Sequence, residues 1–287
     1  AARILGTGSS LRGLAKQRHC GKTKLVNQFH RSIRSWLTAH QPARPFTGND
    51  SDLVLVIDGI WFELNEQRYT VVILLARRIR GWKARLRGLA LMAGDERKEL
   101  WEQALEQSLT REELANVRGI TGDGGHGLTT LCRERNWPYQ RCHVHLLRDL
   151  YKIRGQRRSS TQWLRQGALK LVRTTLDTPS ERKANRNIRL LRLLIAHPEC
   201  PKTVRSKVGG FIRHYRKYRV CYRHPDLRLP KTTNSAECVS QLVQRYLNRM
   251  RGVRSVQSLR YWLTIILRCH STVRCSSRLR TNQINRT

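Results

Sequence analysis

Residues 53–57 read Leu-Val-Leu-Val-Ile, a continuous apolar run that stops at Asp58. A run this short, bounded by polar residues, predicts a buried strand. Residues 61–64 extend it, 65–67 turn the chain, and 69–76 supply a second apolar strand. Residues 86–92 read as a third, so the three predict an antiparallel meander. A helix follows from Gly94-Asp95. Leu100, Trp101, Ala104, Leu105 and Leu109 form its apolar face, and acidic residues lead its first turn. Residues 117–121 read as a fourth strand, leading to Asp123. Gly124, Gly125 and Gly127 come next, then a helix over 128–135 and a short strand over 139–144.

The resulting order, β-β-β-α-β-α-β, predicts an α/β domain with a ribonuclease H-like mixed sheet over 52–275. An all-α insertion is expected at about 146–231. Its clearest helices read over 161–176 and 184–195. Residues 146–230 hold 22 Lys and Arg against 5 Asp and Glu. After Pro230 a helix carries Glu237 and runs to about residue 250, and 258–269 reads as a last apolar helix. Residues 276–287 form a polar, basic tail.

Ahead of this domain, residues 1–40 predict a small helix-turn-helix. Leu11, Leu14 and Ala15 share one face, Cys20-Gly21 interrupts, and Leu25, Val26, Phe29, Ile33 and Leu37 recur at helical spacing. In that motif the second helix enters the major groove. Lys22, Lys24, Asn27, Gln28 and Arg31 would line its outer side. The competing reading is a basic helical hairpin that only packs on the next domain. Residues 41–51, with Pro42, Pro45 and Gly48, read as a linker.

Charge narrows the partners. Lys and Arg number 56 against 20 Asp and Glu, a net of +36. A chain so self-repelling is best accommodated beside a polyanion, most simply a nucleic acid bound through its phosphates. Residues 213–223 read as a phosphate-contacting stripe carrying Arg213, Arg216, Lys217 and Arg219. Trp163, Tyr215, Tyr218 and Tyr222 lie among arginines, where they either stack on bases or pack the core of the insertion. No apolar run approaches the roughly 20 residues of a membrane span. The 8 cysteines are irregularly spaced, which fits a reducing compartment. The chain opens at Ala1 rather than Met, as one preceded by a further module would.

Where carboxylates are scarce, their positions are informative. Asp58 and Asp123 each end a strand, and Glu237 stands in the first turn of a late helix. Singly, these are the positions of ordinary caps and dipole partners. In the expected sheet the first and fourth strands are neighbours, so both aspartates would meet at its carboxyl edge. Three hard oxygen ligands suit Mg²⁺ or Mn²⁺. Cys142 and His145 have half the spacing of a zinc site but no second pair follows. A polar network beside the active site or a contact to DNA, and plain packing, are the competing readings.

Four words carry a resemblance. They are V-I-D-G at 56–59, T-G-D-G-G-H-G at 121–127, C-H-V-H at 142–145, and T-T-N-S-A-E-C at 232–238 followed by R-M-R-G at 249–252. In this order they resemble the Mutator-like group of DDE transposases and its bacterial insertion-sequence relatives, over about residues 52–269. The resemblance implies that Asp58, Asp123 and Glu237 bind two Mg²⁺ or Mn²⁺ ions. It implies supporting places for Cys142 and His145 in a C-x-x-H word and for Asn234 in the T-N-x-x-E word, with Arg251 toward the DNA. The expected activity is metal-dependent cleavage at transposon ends followed by 3′-OH strand transfer. The expected partners are double-stranded DNA, as transposon ends and target, and further copies in a homodimer or larger assembly. The implied setting is the bacterial cytoplasm, at the nucleoid. His126 and the very basic insertion depart from the family pattern without touching the three carboxylates. The alternatives are a transposase-derived DNA-binding protein without catalysis, and a ribonuclease H-like nuclease or resolvase.

Overall fold

The apolar run at 53–57 lies at the centre of a six-stranded mixed sheet of order β5-β4-β1-β2-β3-β6. The computed structural model describes residues 15–17, 19–39, 45–46, 52–81, 83–152, 160–249, 255–270 and 272–274. Most of the expected first helix of the helix-turn-helix, Arg251 and the 276–287 tail lie outside these residues, as does the side chain of Lys22.

Strand β1 (Leu53–Leu64) pairs antiparallel with β2 (Gln67–Arg78), which pairs antiparallel with β3 (Lys83–Ala93). On its other side β1 runs parallel to β4 (Val117–Gly122), and β4 parallel to β5 (Tyr139–Arg141). A strand buried on both faces needs apolar side chains at successive positions, and Leu53 to Ile57 are all fully buried. Odd positions of β1 face one layer. There Leu53, Leu55 and Ile57 pack with Trp101 and Leu105 of α2 (Lys98–Ser108) and Leu128 and Leu131 of α4 (His126–Glu134). Even positions face the other, where Val56 and Ile60 pack with Val239 and Val243 of α10 (Asn234–Arg249) and Leu263 of α11 (Val256–Cys269). The domain is thus an α/β sandwich, with each sheet face closed by its own helices.

Helix α3 (Arg111–Ala115) is held by its cap. Thr110 and Glu113 form a reciprocal capping box, and the buried Glu113 also accepts from Arg87 at 2.8 Å and from the Phe46 amide at 2.9 Å.

The insertion is helical, as its sequence predicts. It comprises α5 (His143–Tyr151), α6 (Gln162–Asp177), α7 (Glu181–Ala196), α8 (Lys202–His214) and the four-residue α9 (Val220–Arg223). Leu150, Leu164, Val172, Leu191, Val208 and Phe211 fill its separate core. The expected fifth strand is shorter than its sequence suggests. It stops at Arg141, and His143 and Val144 open α5 instead. Strand β6 (Thr272–Arg274), at the sheet edge beside β3, has no signal in the sequence.

Helix α1 (Lys22–Ala39) forms where the recognition helix is expected. It leans on α11: His30 Nε2 is 3.3 Å from Ser258 Oγ, and the His30 and Tyr261 rings are 5.3 Å apart. Lys24, Asn27, Gln28 and Arg31 are exposed. Among the described residues, no helix is long and apolar enough to cross a membrane.

Candidate active site

The parallel pairing of β1 and β4 aligns Val56 with Thr121. Asp58 and Asp123 each stand two residues beyond that pair, so both reach the carboxyl edge of the sheet. Because β1 continues past Asp58, this carboxylate is enclosed and only 7% exposed. Asp123 lies just past the end of β4, where Gly124 turns the chain at a φ of +107°, a region that favours glycine. The Gly125 amide donates to Asp123 Oδ1 at 3.0 Å.

Glu237 reaches the same edge from the first turn of α10, and a short strap holds it there. Thr121 Oγ1 donates to the Pro230 carbonyl at 2.9 Å, and the His143 amide to the Lys231 carbonyl at 2.9 Å. The Thr233 amide and hydroxyl both donate to Cys142 Sγ at 3.3 Å. The Thr233 carbonyl then accepts from the Glu237 amide at 2.9 Å. Asn234 is the first residue of this helix, three before Glu237.

The Asp58 carboxyl feels the charges of the other two. Burial pushes the Asp58 carboxyl up to about 7, and the charges of Asp123 and Glu237 push the same way against His145. Cations already answer this excess. Arg148 Nη2 donates to Glu237 Oε1 at 2.9 Å, and His145 Nε2 lies 3.7 Å from the same oxygen. The hydrogen bond between His145 and Cys142 raises the imidazole to about 9, with help from Asp58 and Glu237. Burial opposes ionisation of Cys142, but His145 and Thr233 leave its thiol below the usual range. The C-x-x-H word is therefore a buried thiol paired with a half-buried imidazole, bonded to the strap.

Sequence reasoning missed one carboxylate. Glu96 lies in the loop between β3 and α2. A Cβ at position 59 would stand 2.6 Å from its Oε1, and one at position 125 would stand 3.2 Å from its Oε2. Glu96 thus fills the space between the two strand ends, and Gly59 is small because Glu96 is there. Burial, followed by the charge of Asp123, raises the Glu96 carboxyl.

The donor set is hard oxygen in a pocket of excess negative charge, with Arg148 in the part of a cation, so its chemistry suits Mg²⁺ or Mn²⁺. The carboxylates are not gathered to coordinating distance: among the described residues, no group of three or more His, Cys, Asp or Glu is drawn together as a ready metal cage.

The expected phosphate stripe divides. Arg213 and Arg216 are exposed and Lys217 half-buried. Arg219 does not belong with them. It is fully buried, and its guanidinium donates to the carbonyls of Thr175 and Thr178 at 2.6 Å each and approaches Glu181 Oε1 at 3.4 Å. The aromatic residues divide too. Tyr218 is in the insertion core, Tyr215 Oη donates to Asn185, and Tyr222 Oη donates to the carbonyls of Leu176 and Asp177. Trp163 stays 55% exposed, with His197 edge-on at 5.2 Å. No family model matches the chain, and no curated protein matches it.

Proposed function

We propose that this protein is a DNA transposase with a ribonuclease H-like core, cutting and joining DNA through Asp58, Asp123 and Glu237. The observation that carries the reading is the placement of Asp58 and Asp123 two residues beyond a paired position on adjacent parallel strands, with Glu237 in the first turn of the helix strapped to β4 and α5. The sheet order β5-β4-β1-β2-β3 and the placement of the two aspartates on adjacent parallel strands support the core assignment. The family resemblance and the net charge of +36 support DNA as substrate.

In this reading Asp58 and Asp123 are the fixed members, one on a continuous strand and one on a glycine turn. Glu237 is the adjustable one, released when Arg148 turns from it toward a DNA phosphate. Divalent ions bound there supply the Lewis acidity that activates the attacking oxygen and stabilises the leaving one. Arg148 is more than half exposed, so its exchange of partners needs no repacking. The Thr233 strap keeps the Glu237 backbone in place throughout. No side-chain nucleophile is required, since water and then a 3′-OH attack the phosphorus directly.

A strand-transfer assay with labelled DNA ends and Mg²⁺ or Mn²⁺ tests the reading. The parent should cleave and join, and Glu237→Gln and Asp123→Asn should do neither while still binding DNA. Joining by either variant at the parental rate overturns it. Cleavage without joining by the parent supports the nuclease alternative, and binding alone supports the non-catalytic one.

DNA binding should draw on the exposed part of the insertion stripe. The double substitution Arg213→Ala and Arg216→Ala should weaken binding to duplexes of any sequence. It should also flatten the plot of log affinity against log salt by about 2, close to one unit per lost phosphate contact. Filter binding between low and moderate salt measures this, and an unchanged slope would remove these residues from the interface.

A further inference from the structure

Beyond the carboxylates, the same sheet edge carries an exposed tryptophan. Trp61 is 60% exposed and lies on β1, three residues after Asp58. Strand alternation puts it on the face of Gly59, the face under which Glu96 sits, about 7 Å further along. The Arg68 guanidinium lies over its ring at 4.9 Å from the centroid. Arg68 also reaches Asp95 Oδ1 at 2.9 Å, and its charge acts on Glu96. Trp61, Arg68, Glu96 and Asp123 therefore form a continuous row that leads from the open edge to the candidate metal ligands.

An indole with a cation behind it suits a particular ligand. A nucleotide offers the π-face of its base to the ring and its phosphate to the cation. Bases in an intact duplex already stack on each other, so their faces are closed to Trp61. An unpaired base is free to use it. We propose that Trp61, backed by Arg68, is a stacking platform for an unpaired base of the DNA strand held at the carboxylate edge. This inference rests on DNA being the substrate. It adds that the strand is locally unpaired beside the reacting phosphate and that Trp61 receives the freed base.

The test uses the full chain and two fluorescein-labelled probes, a short oligodeoxythymidylate and a blunt duplex of equal length. Anisotropy titrations compare the parent with Trp61→Ala and Trp61→Phe. Trp61 is exposed, and circular dichroism verifies that each variant folds. Trp61→Ala should lose roughly tenfold in affinity for the oligodeoxythymidylate and leave duplex affinity within about twofold. Trp61→Phe should recover most of the loss, because a phenyl ring still stacks. A 2-aminopurine placed in the single strand should be quenched by the parent and by Trp61→Phe but not by Trp61→Ala. Equal losses on both probes, or no loss on the single strand, overturn the platform. Failure of the parent to bind either probe would instead overturn the DNA reading, and the platform with it.

Discussion

Asp58→Asn should abolish metal-dependent DNA cleavage and, in metal-free buffer above pH 7, yield a more stable protein than the parent. Both effects come from the same burial. Asp58 is fixed by the backbone of a continuous strand, and Asn is a far poorer ligand for Mg²⁺ than a carboxylate. A loss of at least about a thousandfold in cleavage is expected, since bound metal lowers such barriers by several kcal/mol. The stability change follows from proton linkage. The Asp58 carboxyl is raised from 3.8 to about 7 in the fold. Between those values the native protein holds a proton that the unfolded chain has released, so this group makes stability fall as pH rises. The full penalty above pH 7 is on the order of 4 kcal/mol. His143, buried and lowered to about 4, acts in the opposite sense over an overlapping range. Its contribution is present above the unfolded value of 6.5 and fades as pH falls toward 4, but parent and variant share it. The difference between the two proteins reports Asp58 together with the part of the His145 shift that its charge causes. Urea unfolding from pH 4 to 8 with a chelator present measures that difference. It should grow with pH in favour of the Asp58→Asn variant, and a difference that shrank would show that Asp58 is not the enclosed, crowded carboxylate described above.

The second large effect concerns Arg219, where net charge and structure point in different directions. Its buried guanidinium donates to the carbonyl at 175, in the last turn of α6, and to the carbonyl at 178, in the link to α7. Arg219→Met keeps much of the side-chain volume and removes the donors. Two acceptors, at least one of them buried, are then left without their partner, each at a cost of about 1–3 kcal/mol. The expected destabilisation is therefore about 3 kcal/mol, read by chemical denaturation of the insertion helices. DNA affinity per folded molecule should barely move. Arg216→Met, a few residues earlier and exposed, should show the reverse pattern: little change in stability and weaker, less salt-sensitive binding. If Arg219→Met unfolded at the same denaturant concentration as the parent but bound DNA poorly, Arg219 would be a DNA contact after all.

How much of this is legible in the sequence depends on whether the information is local. The strands at 53–57, 69–76 and 117–121 are readable because a buried strand must carry apolar side chains in succession. Asp58, Asp123 and Glu237 stand out because they punctuate such runs or sit in recognisable words. The end of β5 is misread because Tyr139 to Leu147 mixes apolar and polar residues at spacings that suit strand and helix alike. Only the tertiary bond from the His143 amide to Lys231 shows where the change occurs. Arg219 is misplaced because a buried arginine and a solvated one are the same letter. Glu96 escapes for a related reason. The helix expected from Gly94-Asp95 begins at Lys98, which leaves Glu96 in a loop with no motif around it. What brings Glu96 to the site is the space left by Gly59 on another element.

The strap between Pro230 and Thr233 also bears on how such a chain can change over generations. The insertion departs at Cys142–His143 and returns at Lys231, and a single amide bond of 2.9 Å ties departure to return. Its two ends therefore meet at one doorway. Past α5, whose His145 and Arg148 touch Glu237, whatever grows, shrinks or is exchanged leaves the elements that carry Asp58, Asp123 and Glu237 untouched. On the proposed function, lineages could refit the grip on DNA while inheriting the carboxylate edge. The sheet edge and the helical insertion are in this sense separately heritable, although one uninterrupted polypeptide encodes both.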